Sequence, residues 1–445
     1  MSTPSPLDSQ TSAAANSASL TVQADRALVR SGARSTRYAL VTVVAPTATR
    51  STARIPVNLA IVLDRSGSMA GQKFVLARRA VEQALEQLEP EDRFALVVYD
   101  DNIDVLAEST RATPDAKRSA LARLASVEPR GSTDLSGGWM RGCEQIAFGM
   151  TGGDRAQTID RCLLLTDGLA NRGITDRDEL IGHAAALRDR GIQTSTFGVG
   201  EDFDERLLAG LADAGGGHFY FLANAEQIPE LIASEVGEAL EVVMRSVVVE
   251  AKLAHGMSGR ALSRYRSRTI ESESGRSTLS VDVGDLVSGQ EVELVISMSF
   301  PTGCDGEMIG AEIRVVDSAG SSQAVRDRVQ FTYASHADND RQPRNREVDR
   351  RVAAIFAARA RREALEHQRS HDYERARGVL IATAKRISQY AGGDAALIAT
   401  AEDLQHDVAA HKNSPMPVPE MKERYFRSYN AEMSRAPSGK ANKRA

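Results

Sequence analysis

A chain of 445 residues is longer than one hydrophobic core usually serves, so its length implies roughly two to four domains. A composition of 42% hydrophobic and 26% charged residues is that of an ordinary globular protein and excludes a fibrous or wholly disordered chain. The net charge of -5 excludes a global attraction to nucleic acid or an anionic membrane surface, so any basic site must be local.

Residues 1–18 are Ser-, Thr-, Ala- and Pro-rich and read as a disordered N-terminus; with no Lys, Arg or apolar run, the opening stretch carries no expected secretory signal. Residues 19–50 contain short runs rich in Val, Leu and Thr, separated by a Gly-containing turn, and read as β strands. They are too few to form a domain alone and need a partner sheet from elsewhere in the chain.

Residues 55–243 alternate strand and helix patterns, the mark of a doubly wound, mostly parallel six-stranded α/β sheet. The first strand, VNLAIVLD, is apolar throughout, as burial on both faces requires. A helix is expected over 71–88. RFALVVYD and IDVLAES are separated only by Asp101 and Asn102, so they read as a hairpin whose second arm is the one antiparallel edge strand. Helices near 115–127 and 136–149, the strand RCLLLTD, a helix at 177–190, the strand TSTFGVG, a helix at 205–214, the strand HFYFLA and a closing helix from Glu226 complete the unit.

Residues 244–335 change to β patterning: SVVVEAKL, STLSVDV, EVELVISMSF, EIRVVD and DRVQFTY, with Gly, Ser and Asp turns between them. These strands predict an antiparallel β-sandwich completed by residues 19–50, so that the α/β domain is an insertion within it. Residues 336–345 read as a polar linker. Residues 346–412 follow as a helical bundle in which Val348, Val352, Ile355 and Phe356 mark one apolar face. Residues 413–445 read as a docking segment carrying Tyr425, Phe426 and Tyr429, then a disordered basic tail.

The chemistry concentrates at the end of the first buried strand. There Asp64-Arg65-Ser66-Gly67-Ser68 places one carboxylate and two hydroxyls where open α/β sheets build their ligand sites. A hard cation such as Mg²⁺ takes oxygen ligands at about 2.1 Å in an octahedron, and this loop offers such donors. Alone, the loop reads equally as a helix cap or a turn. Two further segments accompany it: Arg130-Gly131-Ser132-Thr133-Asp134 before a helix, and Leu165-Thr166-Asp167-Gly168 at the end of a buried strand.

Together the three segments resemble the metal-ion-dependent adhesion site of von Willebrand factor A (VWA) domains, including the integrin inserted domains. The resemblance covers roughly residues 55–243 and implies a metal site of Asp64, Ser66, Ser68, Thr133 and Asp167, holding Mg²⁺, with Mn²⁺ or Ca²⁺ as other candidates. It further implies that Ser66 and Ser68 bind the metal directly and that the aspartates act directly or through water. Thr133 engages in the liganded state, and a partner protein's Glu or Asp takes the remaining position. The implied activity is recognition without turnover; the alternatives are a metal-dependent hydrolase, or a structural protein whose metal only stabilises the fold. The flanking strands and C-terminal helices resemble, more loosely, bacterial proteins related to calcium-activated chloride channel regulators and inter-alpha-trypsin inhibitor heavy chains.

Other residues have simpler readings. Arg65 reads as a solvent-facing arginine or one that steers acidic partners, Asp134 as a helix cap or a support for the site, Trp139 as helix core and His218 as structural. The arginines from 341 to 377 lack interleaved aromatics, so they read as a solvated face rather than a nucleic-acid surface. The eight histidines show no zinc-hydrolase spacing, no nucleotide-binding Gly-x-x-x-x-Gly-Lys loop is present, and Cys143, Cys162 and Cys304 read as reduced, mostly buried thiols. No stretch reaches the about 18 apolar residues of a membrane helix, and a cytoplasmic, bacterial-type scaffold is the expectation.

Overall fold

The computed structural model describes residues 17–48, 54–150, 158–272, 275–317, 325–411 and 414–444. The chain divides into two compact units, Ser51–Val242 and the combination of Met1–Arg50 with Val243–Ala445, taken over the described residues.

The first unit is a six-stranded sheet in the order β6-β5-β4-β7-β8-β9. β4 (Val57–Asp64) lies at its centre, between β5 (Arg93–Tyr99) and β7 (Ile159–Thr166), parallel to both. All eight residues of β4 and all eight of β7 are buried, which is why both segments are so apolar. β8 (Gln193–Val199) and β9 (Gly216–Leu222) extend the sheet in parallel on one side. On the other side β6 (Ile103–Arg111) is the antiparallel edge strand. The chain runs outward from β4 in one direction through β5 and β6 and in the other through β7, so the strand order reverses between β4 and β7. In such sheets the crevice beyond the C-terminal strand ends at that point receives ligands.

Six helices cover this sheet: α1 (Gln72–Gln87), α2 (Pro114–Ala125), α3 (Leu135–Gly149), α4 (Arg177–Asp189), α5 (Glu205–Gly215) and α6 (Ile228–Leu240). Thr113, Asp134, Asp176 and Asp204 each accept a backbone N–H at the start of α2, α3, α4 and α5, satisfying donors the first turn leaves open. α3 lies unusually close to the strands. A Cβ added to Gly138 would clash with the Tyr99 ring, and one added to Gly142 with Val62. Trp139, between them, is fully buried and donates its indole N–H to Thr194 at 3.1 Å.

In the second unit, strands from both sides of the α/β segment share two sheets. β1 (Ser19–Ala24), β3 (Ser35–Val44), β14 (Glu291–Phe300) and β11 (Ser258–Ala261) form one, in that order. The other runs β12 (Arg266–Glu271), β13 (Ser277–Val287), β10 (Val242–Leu253), β15 (Met308–Val316), β16 (Arg326–Ala334) and β2 (Leu28–Arg30). Val41 and Val43 of β3 and Leu294 and Ile296 of β14 meet Val249, Ile313 and Phe331 of the opposite sheet in one core. Ten register pairs join β3 to β14, so the early strands are built into the sandwich rather than laid against it.

β3 and β14 also bury apolar residues on their outer face. Leu40 and Val295 pack against Val348, Val352 and Ile355 of α8 (Arg346–Arg369), which seats the helical region on the sheet. The alanines 353, 357, 360 and 364 of α8 then meet Leu380 and Ile387 of α9 (Tyr373–Ala391) and Leu397 and Leu404 of α10 (Ala395–Ala410). α11 (Val418–Glu432) buries Tyr425, Phe426 and Tyr429.

Two stretches differ from the sequence reading. The linker at 336–345 contains a short helix, α7 (His336–Arg341), capped by Ser335 and anchored where the Arg37 guanidinium donates to Asn339 at 3.1 Å. The tail expected to be disordered is seated on the sandwich through 444. The Glu291 N–H donates to the Asn442 carbonyl at 2.9 Å, and Arg444 N–H to Gly289 at the same distance. The N-terminal stretch 1–18 lies outside the described residues except for its last two, of which Ala18 is buried in the sandwich core.

Candidate metal centre

Asp64 ends β4, and Asp167 follows the last residue of β7, so the strand pairing alone sets both carboxylates side by side at the switch point. Beyond Asp64 the backbone makes a single tight turn at Gly67–Met69 before α1 begins, which holds Ser66 and Ser68 close to the strand end. Met69, fully buried, anchors the turn, its N–H donating to the Ser66 carbonyl at 3.0 Å. The loop carrying Thr133 is stitched to this turn by backbone hydrogen bonds, Arg130 N–H to the Arg65 carbonyl at 2.8 Å and Gly67 N–H to Gly131 at 3.2 Å.

Gly131 has φ +68°, and a side chain there would run into the Asp101 carboxylate. Gly131→Ala is therefore expected to lower stability by about 1–3 kcal/mol, read as a shifted urea midpoint, because an L residue at that φ is strained even before the clash.

Asp64, Ser66, Ser68 and Asp167 are linked by hydrogen bonds, with Thr133 on the neighbouring loop. The Ser66 and Ser68 hydroxyls are 3.1 Å apart, and Ser68 donates to Asp167 Oδ1 at 2.7 Å. Thr133 Oγ1 lies 3.3 Å from where a Cβ on Gly168 would stand, so only glycine leaves that approach open. Asp64, Ser66, Thr133 and Asp167 are buried, while Ser68 is exposed, giving the cluster a mouth to solvent.

The electrostatics are unbalanced. Asp64 is wholly buried, and its recorded partners are neutral: Ser66 N–H at 2.7 Å on one oxygen and the Thr166 hydroxyl at 2.7 Å on the other. Burial pushes its carboxyl up to about 6, the neighbouring charge of Asp167 adds to this, and the hydrogen bonds from Thr166 and Ser66 oppose it. Two buried carboxylates beside three hydroxyls, all oxygen donors, suit a hard divalent cation and offer nothing to a soft one. Among the described residues Asp167 has one cationic contact, the Lys73 ammonium on Oδ2, and Lys73 also donates to the Ser68 carbonyl at 3.3 Å.

Arg65 departs from both of its sequence readings. Only 5% exposed, it pairs with Asp100 at 3.1 Å and Asp104 at 2.5 Å, binding the loop to the β5–β6 hairpin. Burial works against the Asp100 carboxylate, yet the Asn102 amide, Arg130 and Arg65 together hold it below the usual range. Asp134 caps α3, accepting from Gly137 N–H at 2.9 Å.

A second polar cluster lies at the opposite, N-terminal ends of β7, β8 and β9, where His218, Glu235 and Glu238 bring ligand atoms within 4.8 Å of one another. Glu235 is fully buried and accepts from Arg161 at 3.0 Å, Ser195 at 2.6 Å and Tyr220 at 2.6 Å, with His218 Nδ1 at 3.0 Å. A guanidinium already pairs with this carboxylate, which makes it the centre of a buried hydrogen-bond network.

Comparison with known proteins bears on the α/β unit. Residues 58–234 match the family model of the von Willebrand factor type A domain. The uncharacterized protein YfbK of Escherichia coli is 26% identical over 247 residues, 55% of this chain and 42% of that one. Inter-alpha-trypsin inhibitor heavy chain H1 of Sus scrofa is 31% identical over 159 residues, 34% of this chain and 17% of that one. The chain thus spans less than half the length of either relative. The solved structure of a von Willebrand factor type A protein from Catenulispora acidiphila superposes with a TM-score of 0.68 at 17% identity, covering 89% of each chain, and so shares the fold of both units. Residues 58–234 of this chain are a von Willebrand factor type A domain.

Proposed function

We propose that this chain is a metal-dependent protein-binding module, in which Asp64, Ser66, Ser68, Thr133 and Asp167 hold Mg²⁺, or Mn²⁺ or Ca²⁺ in its place, and a Glu or Asp of a partner protein completes the site. Domains of this family often mediate protein interactions and are generally not enzymes. The observation that carries the reading is Asp64, a buried carboxylate held by neutral donors next to a second buried carboxylate, at the switch point of the sheet. When bound, the cation supplies an electrophilic position for a carboxylate oxygen. The chain's own part is to hold the donors still. Thr166 and the Ser66 amide fix both oxygens of Asp64, Ser68 fixes one of Asp167, and Arg65 ties the loop to the hairpin.

Recognition without turnover belongs to this reading. Two carboxylates and neutral hydroxyls only balance a divalent ion, leaving it able to attract one more anionic ligand. No helix among the described residues is long and apolar enough to cross a membrane. A cytoplasmic setting is part of the same proposal, supported by the free thiols Cys143, Cys162 and Cys304. The test is capture by the immobilised full chain in Mg²⁺ and in EDTA, with Ser66→Ala as the control. A protein retained in Mg²⁺, released by EDTA and lost with Ser66→Ala is the expected result; the same proteins retained under all three conditions would overturn the reading.

A further inference from the structure

Lys73 stands where a lysine is not expected. It lies in the first turn of α1, which has no acidic residue there and no side-chain cap, so the ammonium sits at the positive end of the helix dipole. Its position is explained by what it touches: Oδ2 of Asp167, whose side chain is wholly buried, and the Ser68 carbonyl. The other oxygen of Asp167 is taken by the Ser68 hydroxyl at 2.7 Å. The Lys73 side chain is 31% exposed, so unlike Asp167 it has a route to solvent.

We propose that Lys73 is a resident counter-cation of the centre, which competes with the divalent ion for Asp167 and so sets the affinity for metal. This rests on the metal reading of the same five residues. Without metal, the ammonium neutralises one of the two buried carboxylates and leaves Asp64 as the uncompensated one. An entering cation must either push the ammonium off Oδ2 toward solvent or share Asp167 with it; either way the like charges repel and binding weakens. The side chain stabilises the empty centre and opposes the filled one.

The opposed signs separate this role from simple packing. Lys73→Met is expected to bind Mn²⁺ on the order of tenfold more tightly than wild type at low ionic strength, with the gap narrowing as salt screens the repulsion. In EDTA the same variant should melt lower than wild type, since Asp167 has lost its partner, and saturating Mn²⁺ should raise its melting temperature by more. Lys73→Arg keeps the charge and should bind Mn²⁺ as wild type does. Titration of the full chain with Mn²⁺, followed by electron paramagnetic resonance of the free ion, reads all four proteins when Asp64→Ala is included. Equal or weaker Mn²⁺ binding by Lys73→Met, with wild type binding and Asp64→Ala not, overturns the proposal for Lys73 alone. Wild type and Asp64→Ala both failing to bind Mn²⁺ overturns the metal reading and this proposal with it.

Discussion

Glu235→Ala is expected to destabilise the α/β unit by about 3–5 kcal/mol, the cost of breaking a buried pair by removing one partner of a buried charge. The charge is Arg161, whose side chain is 3% exposed and donates to Glu235 at 3.0 Å. The same substitution removes the acceptor for the buried hydroxyls of Ser195 and Tyr220. Because one carboxylate gathers donors from β7, β8 and β9 onto α6, its loss removes the hydrogen bonds that tie the closing helix to three strands at once. Glu235→Gln keeps acceptor capacity but not charge and should fall between wild type and Glu235→Ala. The double substitution Arg161→Met with Glu235→Leu removes both charges and should recover much of the loss. Trp139 is the only tryptophan of the chain and is buried in this unit, so its fluorescence during urea unfolding reports on the unit alone. A midpoint for Glu235→Ala within error of wild type would show that the network carries little stability.

The contrast between this network and the metal centre shows what the sequence reveals and what it hides. Asp64 was legible because it ends a continuous apolar run and its neighbours 66 and 68 follow at once; Asp167 stands at an equally readable strand-to-helix junction, and Thr133 in the loop that leads into a helix. Glu235 sits in an ordinary helix and depends on residues up to 74 positions away, a juxtaposition that no local pattern encodes. Arg65 was misread for the same reason, since Asp100 lies 35 positions on. β12 escaped because all six of its residues are exposed, leaving no alternation of buried and polar positions to read. Backbone bonds from 442 and 444, which any sequence could make, help to seat the tail. Lys73, by contrast, left a usable signal: a cation in the first turn of a helix implies a nearby anion. In α7, too, Ser335 with Asp338 three residues later is a cap signature inside a stretch dismissed as linker.

Asp64→Asn should separate stability from function most sharply, because the two change in opposite directions. In EDTA the variant is expected to be more stable than wild type by about 1–3 kcal/mol, since a buried carboxylate with neutral partners is replaced by a neutral group of the same shape. The amide fits the existing bonds. Its oxygen accepts from Ser66 N–H, its nitrogen donates to Thr166 Oγ1, and the Thr166 proton turns to the Gly168 carbonyl, already 3.4 Å away. With the charge gone, Mg²⁺ affinity should drop on the order of 100-fold, and the increase in urea midpoint that Mg²⁺ gives wild type should vanish. The curves for the two proteins should therefore cross as Mg²⁺ is added, the variant ahead in EDTA and wild type ahead at saturation. A variant less stable than wild type in EDTA would mean that the protein itself compensates Asp64 and that the centre is not built for a cation.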